Sequence, residues 1–86
     1  MTETMRLANH LEKQYPSLNF RNHCYLRIAY DNTVDAKWDT VVARPFTINA
    51  SAEKVTFANY LLSLYISDKD FLMQHNKKSL TFRKKI

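Results

Sequence analysis

Glycine is missing from all 86 residues of this chain, proline occurs twice and cysteine once. Glycine reaches positive φ at no steric cost and lets a backbone approach a phosphate closely. Its absence removes the P-loop, the dinucleotide fingerprint and the nucleophile elbow, all of which are built on glycine. Two-residue hairpins, whose turns usually need glycine, become unfavourable as well. The lone cysteine, Cys24, rules out an intramolecular disulfide. Long apolar runs are also missing. The longest stretch free of charge and histidine, Val55 to Ser67, is 13 residues and is interrupted by Thr56, Asn59 and Ser63, whereas a bilayer span takes about 20 mostly apolar residues. Met1 to Arg6 holds no basic stretch leading into an apolar run, so no secretory signal is predicted. Together these absences predict a reduced, soluble, cytoplasmic protein that does not engage membranes.

What is present is a folded composition. The apolar share is 45% and the aromatic share 13%, more than disordered chains carry, because those cannot offset the entropy of ordering by burial. The length predicts one domain over 1–86, burying only about 60% of the surface its unfolded chain exposes.

The pattern is helical. Leu7, Ala8, Leu11 and Tyr15 share one face of a segment that Thr2 or Thr4 can cap and Pro16 ends. From Asn22 to Ala43, Leu26, Tyr30, Val34, Trp38 and Val41 or Val42 form a stripe near a 3.6 period. This predicts one long helix capped by Asn22, or two helices broken at Asp31-Asn32-Thr33, three poor helix formers. Arg44-Pro45 stops it, and Phe46 and Ile48 are expected to plug the core. Ser51 caps the most apolar segment, Ala52 to Ile66, whose apolar positions nearly encircle it and mark it as the central element. Ser67-Asp68-Lys69-Asp70 has capping-box spacing and starts a last helix. The fold class predicted is all-α, a three- to four-helix bundle. The alternative is α+β with short strands near 23–30 and 79–84.

The formal charge of +5 sits at one end. Five basic and five acidic residues balance over 1–43, and three of each balance over 44–76. The excess is Lys77, Lys78, Arg83, Lys84 and Lys85. These five are the candidate nucleic-acid or anion-binding residues, with Phe82 beside Arg83 available to stack on a base. A structural reading competes, because helix C-termini attract lysine and arginine through their dipole. Within a continuous 22–43 helix, Asp31, Asp35 and Asp39 form an acidic ridge beside Tyr30 and Trp38. Like charges four apart cost a helix about 0.2–0.5 kcal/mol per pair, so a cation, a basic partner or the chain's own basic end folding back would compensate. Tyr30, Asp31, Asp35, Trp38 and Asp39 are accordingly the candidate partner interface. Tyr25, Phe46, Tyr60 and Trp38 are aromatics that exceed what so small a core is expected to bury.

Enzymatic chemistry has little support. His23 and Cys24 point about 100° apart on a helix, so a thiol-dependent activity would need His10 or His75 brought to Cys24. No spacing of ligands predicts a metal, and no cofactor is predicted. The sequence therefore favours a non-catalytic binding or regulatory module that engages an anionic partner, such as nucleic acid, through its basic C-terminal end. The alternative is a protein-interaction adaptor or homodimer that uses exposed aromatics and the aspartate ridge.

Overall fold

Each of the four long helices of this chain starts where a polar side chain takes an otherwise unpaired amide. A computed structural model describes residues 2–84. Thr2 accepts from the Met5 amide at the head of α1 (Glu3–Gln14), and Ser51 accepts from the Lys54 amide at the head of α4 (Ala52–Ser67). The last long helix, α5 (Lys69–Phe82), is capped by Asp68 through the Phe71 amide, one residue beyond the serine the sequence favoured. Helix α2 (Asn22–Val34) has no side-chain cap of its own. Its cap comes from a neighbour: the Glu12 carboxylate of α1 accepts the Asn22 amide at 2.6 Å, while the Asn22 side chain donates to Asn9. A single-turn helix, α3 (Phe46–Asn49), and two 3₁₀ turns, at Pro16–Leu18 and Trp38–Thr40, complete the order.

Left-handed positions, normally glycine's, fall to other residues. Asn19 (φ 59°) closes the Pro16–Leu18 turn and Asp35 (φ 57°) closes α2. Asn and Asp tolerate this region better than most residues. At the end of α2 the amides of Asp35 and Ala36 both turn back to the Asp31 carbonyl, as in a Schellman termination. The side chains of Asn32 and Thr33 bond back to the carbonyls of Ile28 and Ala29, a local competition that weakens helices. The 22–43 segment is thus a helix broken at Asp35, four residues beyond the start of the weak triplet, rather than one long helix. Both strand alternatives fall, since 23–30 and 79–82 are helical and no strand occurs among the described residues.

Helices α2 and α4 pack on each other, and each also packs on α1 and α5, giving a central pair flanked on both sides. The result is a slab of 32 × 31 × 17 Å, an all-α bundle. Leu7 and Leu11 of α1, Tyr25, Ile28 and Ala29 of α2, Ala58, Leu61, Leu62 and Tyr65 of α4, and Leu72 of α5 fill its core. Two expectations about burial fail. Helix α4 is not encircled by protein, because Phe57 and Tyr60 stay exposed on its outer side, and Ile48 is exposed while Phe46 alone plugs the core. With α4 broad in apolar character and α2 bearing polar groups that find internal partners, α2 becomes the equally enclosed element. No helix among the described residues is long and apolar enough to cross a membrane.

Candidate anion-binding cleft

The break after α2 decides where its charges go. Asp31 is completely buried and accepts four hydrogen bonds. Arg83 reaches it from the end of α5 through Nε at 2.7 Å and Nη2 at 3.1 Å, a two-pronged pairing. The Ser79 hydroxyl donates to Oδ2 at 2.6 Å, and the Trp38 amide donates to Oδ1 at 2.9 Å. One carboxylate therefore holds α2, α5 and the Trp38–Thr40 turn together. The bond to Asp31 raises the proton affinity of Arg83 above its ordinary value. Each group satisfies the other in a place where either charge alone would be costly.

Arg27, one turn before Asp31, completes the chain of bonds. Its guanidinium donates to the Ser79 hydroxyl at 3.1 Å and to the Asn76 carbonyl oxygen at 2.8 Å. Both acceptors are neutral. Burial draws the Arg27 proton affinity below the usual arginine value, and neighbouring Arg83 acts in the same sense. Asp31 and Cys24 pull it back, but no carboxylate among the described residues lies within ion-pairing distance of Arg27.

The side chains of Arg27 and Arg83 open on a cleft of about 290 Å³ that His23, Leu26, Tyr30, Trp38 and Arg44 also line. His23, Leu26, Arg27 and Tyr30 come from one face of α2, at i, i+3, i+4 and i+7. The aromatic wall is preformed: Tyr30 stacks on Phe46 at 3.9 Å, and Trp38 meets both rings edge-on. Arg44 lies over the Trp38 ring at 4.8 Å and pairs with Asp39 at 2.7 Å. That hydrogen bond to Arg44 is the main reason the Asp39 carboxyl stays below the usual carboxylate range. Three guanidiniums thus meet beside an indole, with the carboxylates that pair two of them placed behind or outside.

The residues singled out in the sequence scatter. Of the basic end, Arg83 turns inward to Asp31 and the cleft. Lys77 and Lys84 are exposed, Lys78 pairs with Asp35 at 3.5 Å and stands 6.0 Å from the Phe82 ring, and Lys85 lies outside the described residues. The acidic ridge does not exist as such: Asp31 is internal, Asp35 caps α2, and Asp39 sits in the following turn. Its compensation comes from within the chain, since Arg83, Lys78 and Arg44 each take one of the three aspartates. Tyr30 and Trp38 are not surplus surface aromatics but are each 7% exposed, and Tyr25 and Phe46 are buried too. Of the four aromatics expected outside, Tyr60 alone is there, next to Phe57 at 6.2 Å. Cys24 is half-buried and His10 and His23 are exposed. His75 lies at the core edge, against Phe71 and the Tyr65 hydroxyl.

Sequence reasoning missed Arg27, His23 and Arg44 as a set. The available signal was the i, i+3, i+4, i+7 spacing of His23, Leu26, Arg27 and Tyr30, which places an arginine and a histidine beside the apolar stripe. Among the described residues no group of three or more metal-binding side chains is brought together. No protein-family model matches the chain, and no curated protein and no solved structure matches it either.

Proposed function

We propose that this chain is a soluble, cytoplasmic, non-catalytic binding module, and that its arginine cleft between α2 and α5 engages an anionic partner. The observation that carries the reading is Arg27, a half-buried guanidinium with only neutral acceptors, facing a cleft that two further arginines line. An anion there would meet donors already fixed by Ser79, Asn76 and Asp31, so little side-chain entropy is lost on binding. The exposed lysines of α5 extend the positive field beyond the cleft. The basic end is therefore part of the binding surface, but Arg83 links it to residues of α2.

The test is titration of the protein with inorganic polyphosphate at low salt, followed by the emission of Trp38, which lines the cleft and is the chain's single tryptophan. Saturable, salt-sensitive binding is expected. Arg27→Gln should weaken it severalfold, whereas Arg6→Gln, at an exposed pair on α1, should leave it unchanged. Equal binding by the two variants, or none by the unaltered protein, would reject the cleft.

A second reading rests on a separate observation. Phe57 and Tyr60 are 46% and 56% exposed and side by side on α4, and exposed apolar patches mark interfaces. The adaptor or homodimer hypothesis moves to this patch, because Tyr30 and Trp38 are enclosed by their own chain. Light scattering decides for the homodimer: a dimer that Tyr60→Ser dissociates supports it, and a monomer at high concentration removes it.

A further inference from the structure

The arginine cleft does not end at its arginines. A second depression, of about 340 Å³, shares Leu26, Tyr30, Trp38 and Arg44 with it and continues over Met5, Pro45 and Phe46. One half of the combined groove is cationic through Arg27 and Arg83, with His23 beside them. The other half is apolar and aromatic, and Arg44 over Trp38 stands on the border. Each half has the size at which small-ligand sites begin, about 300 Å³. A bare anion would fill only the first.

Resting on the reading of the cleft as an anion site, we propose that its occupant is single-stranded nucleic acid. One nucleotide places its phosphate against Arg27 and Arg83 and its base in the apolar half, against the exposed guanidinium of Arg44 that lies over the enclosed Trp38 ring. Guanidinium planes are surfaces on which unpaired bases stack, and such stacking tolerates any base. Only an unpaired strand can deliver a base in this way, because a duplex keeps its bases stacked inside. A strand also accounts for the flanks. Lys84 is exposed one residue beyond Arg83, which lines the cleft, whereas Lys77 projects about 130° round α5 from the side that Asn76 and Ser79 turn to Arg27. A second phosphate of a strand leaving the cleft past Arg83 meets Lys84, which a nucleoside monophosphate would not reach.

The experiment compares a labelled oligothymidylate of about ten nucleotides, within the usual span of single-strand sites, with four competitors. These are an abasic strand of the same length, the matching duplex, thymidine monophosphate and a multiply phosphorylated peptide. Anisotropy and Trp38 emission are read at several salt concentrations. The single strand should bind about tenfold more tightly than the abasic strand, the gain expected from stacking one base, and should quench Trp38. Lys84→Gln should flatten the log–log salt dependence by about 0.7, the value for one phosphate contact on a single strand, and Lys77→Gln, on another side of α5, should leave it unchanged. Both lysines are at the surface, so these variants keep the fold even if Arg27→Gln, whose melting is checked by circular dichroism, does not. An abasic strand, duplex or phosphopeptide that binds as tightly as oligothymidylate overturns the proposal and leaves the anion cleft standing. So does a nucleoside monophosphate that matches the strand. Failure of every polyanion, polyphosphate included, removes the cleft reading as well.

Discussion

Where α1 meets α4 the buried part of the contact is mostly carbon: Leu7, Ala8 and Leu11 on one side, Ala58, Leu61, Leu62 and Tyr65 on the other, with hydrogen bonds at its two ends, Thr4 with Asn59, and Gln14 and Tyr15 with the Ile66 and Tyr65 carbonyls. Where α2 meets α5 the contact runs through polar atoms, from Arg27 to Ser79 to Asp31 to Arg83, with Asn32 donating to the His75 carbonyl alongside. The first interface gains from area removed from water and tolerates any apolar side chain of similar volume. The second gains little net energy from its ion pair, because removing both charges from water offsets most of their attraction. What it secures is geometry. Two guanidiniums are held at one cleft, which an apolar interface would not do.

The largest effect should come from breaking the polar interface on one side only. Asp31→Ala leaves Arg83 and the Trp38 amide without their partner and sets Arg27 and Arg83 against each other. A loss of about 3–5 kcal/mol in urea unfolding is expected. Replacing the whole set, with Asp31→Leu, Ser79→Ala and Arg83→Met together, should cost clearly less than Asp31→Ala alone while abolishing polyphosphate binding. If the triple variant is as unstable as the single one, the two interfaces do not differ as described.

The apolar interface should respond next. Leu11→Ala, at a fully buried position, should cost about 3 kcal/mol by loss of burial and a residual cavity, with anion binding retained at temperatures where the protein is folded. A smaller, pH-dependent effect belongs to His75. Burial, with some help from Lys78, lowers its proton affinity below the ordinary value of 6.5, and its Nδ1 lies 2.7 Å from the Tyr65 hydroxyl. The folded state thus binds this proton less readily than the unfolded state. The His75 contribution is fully present above pH 6.5 and is lost as the pH falls below it. Thermal melts between pH 7.5 and 5 should show a decline that His75→Gln reduces. The smallest effect is expected at the exposed Lys78–Asp35 pair, where Lys78→Gln should change stability by no more than about 0.5 kcal/mol. A larger change there would mean that this surface pair contributes to holding α5 against α2.

How far the sequence revealed this fold follows from the range of the interactions. The spans of α1 and α4 and the start of α5 were legible to within a residue or two, because caps at Thr2 and Ser51 and the apolar repeats act over a few positions. The left-handed role of Asp35 was less legible. Nothing local distinguishes an aspartate that ends a helix from one on its solvent face, and the pattern of Leu26, Tyr30, Val34 and Trp38 continues across the break. The burial of Asp31 was not legible at all. Its partners Ser79 and Arg83 are 48 and 52 residues away, and periodicity carries no information about pairing at that distance. The uneven charge did contain a hint. An excess of cations at one end and three closely spaced aspartates elsewhere are complementary, and the chain folds so that two of the three, Asp31 and Asp35, meet the basic end.

That separation also sets when the cleft comes into being. Arg27 and Arg44 lie in the first two-thirds of the chain, and Arg83 arrives only once α5 has docked, closing a loop of about 50 residues whose entropic cost grows slowly but must be met before the contact forms. No fragment that stops short of α5 contains the groove, and no partly folded state with α5 detached does either. Any ligand that bridges Arg27 and Arg83 therefore selects the fully assembled chain and shifts the equilibrium towards it by mass action. Amide exchange along α5 would slow in proportion. Binding at this place doubles as a reading of whether folding has finished.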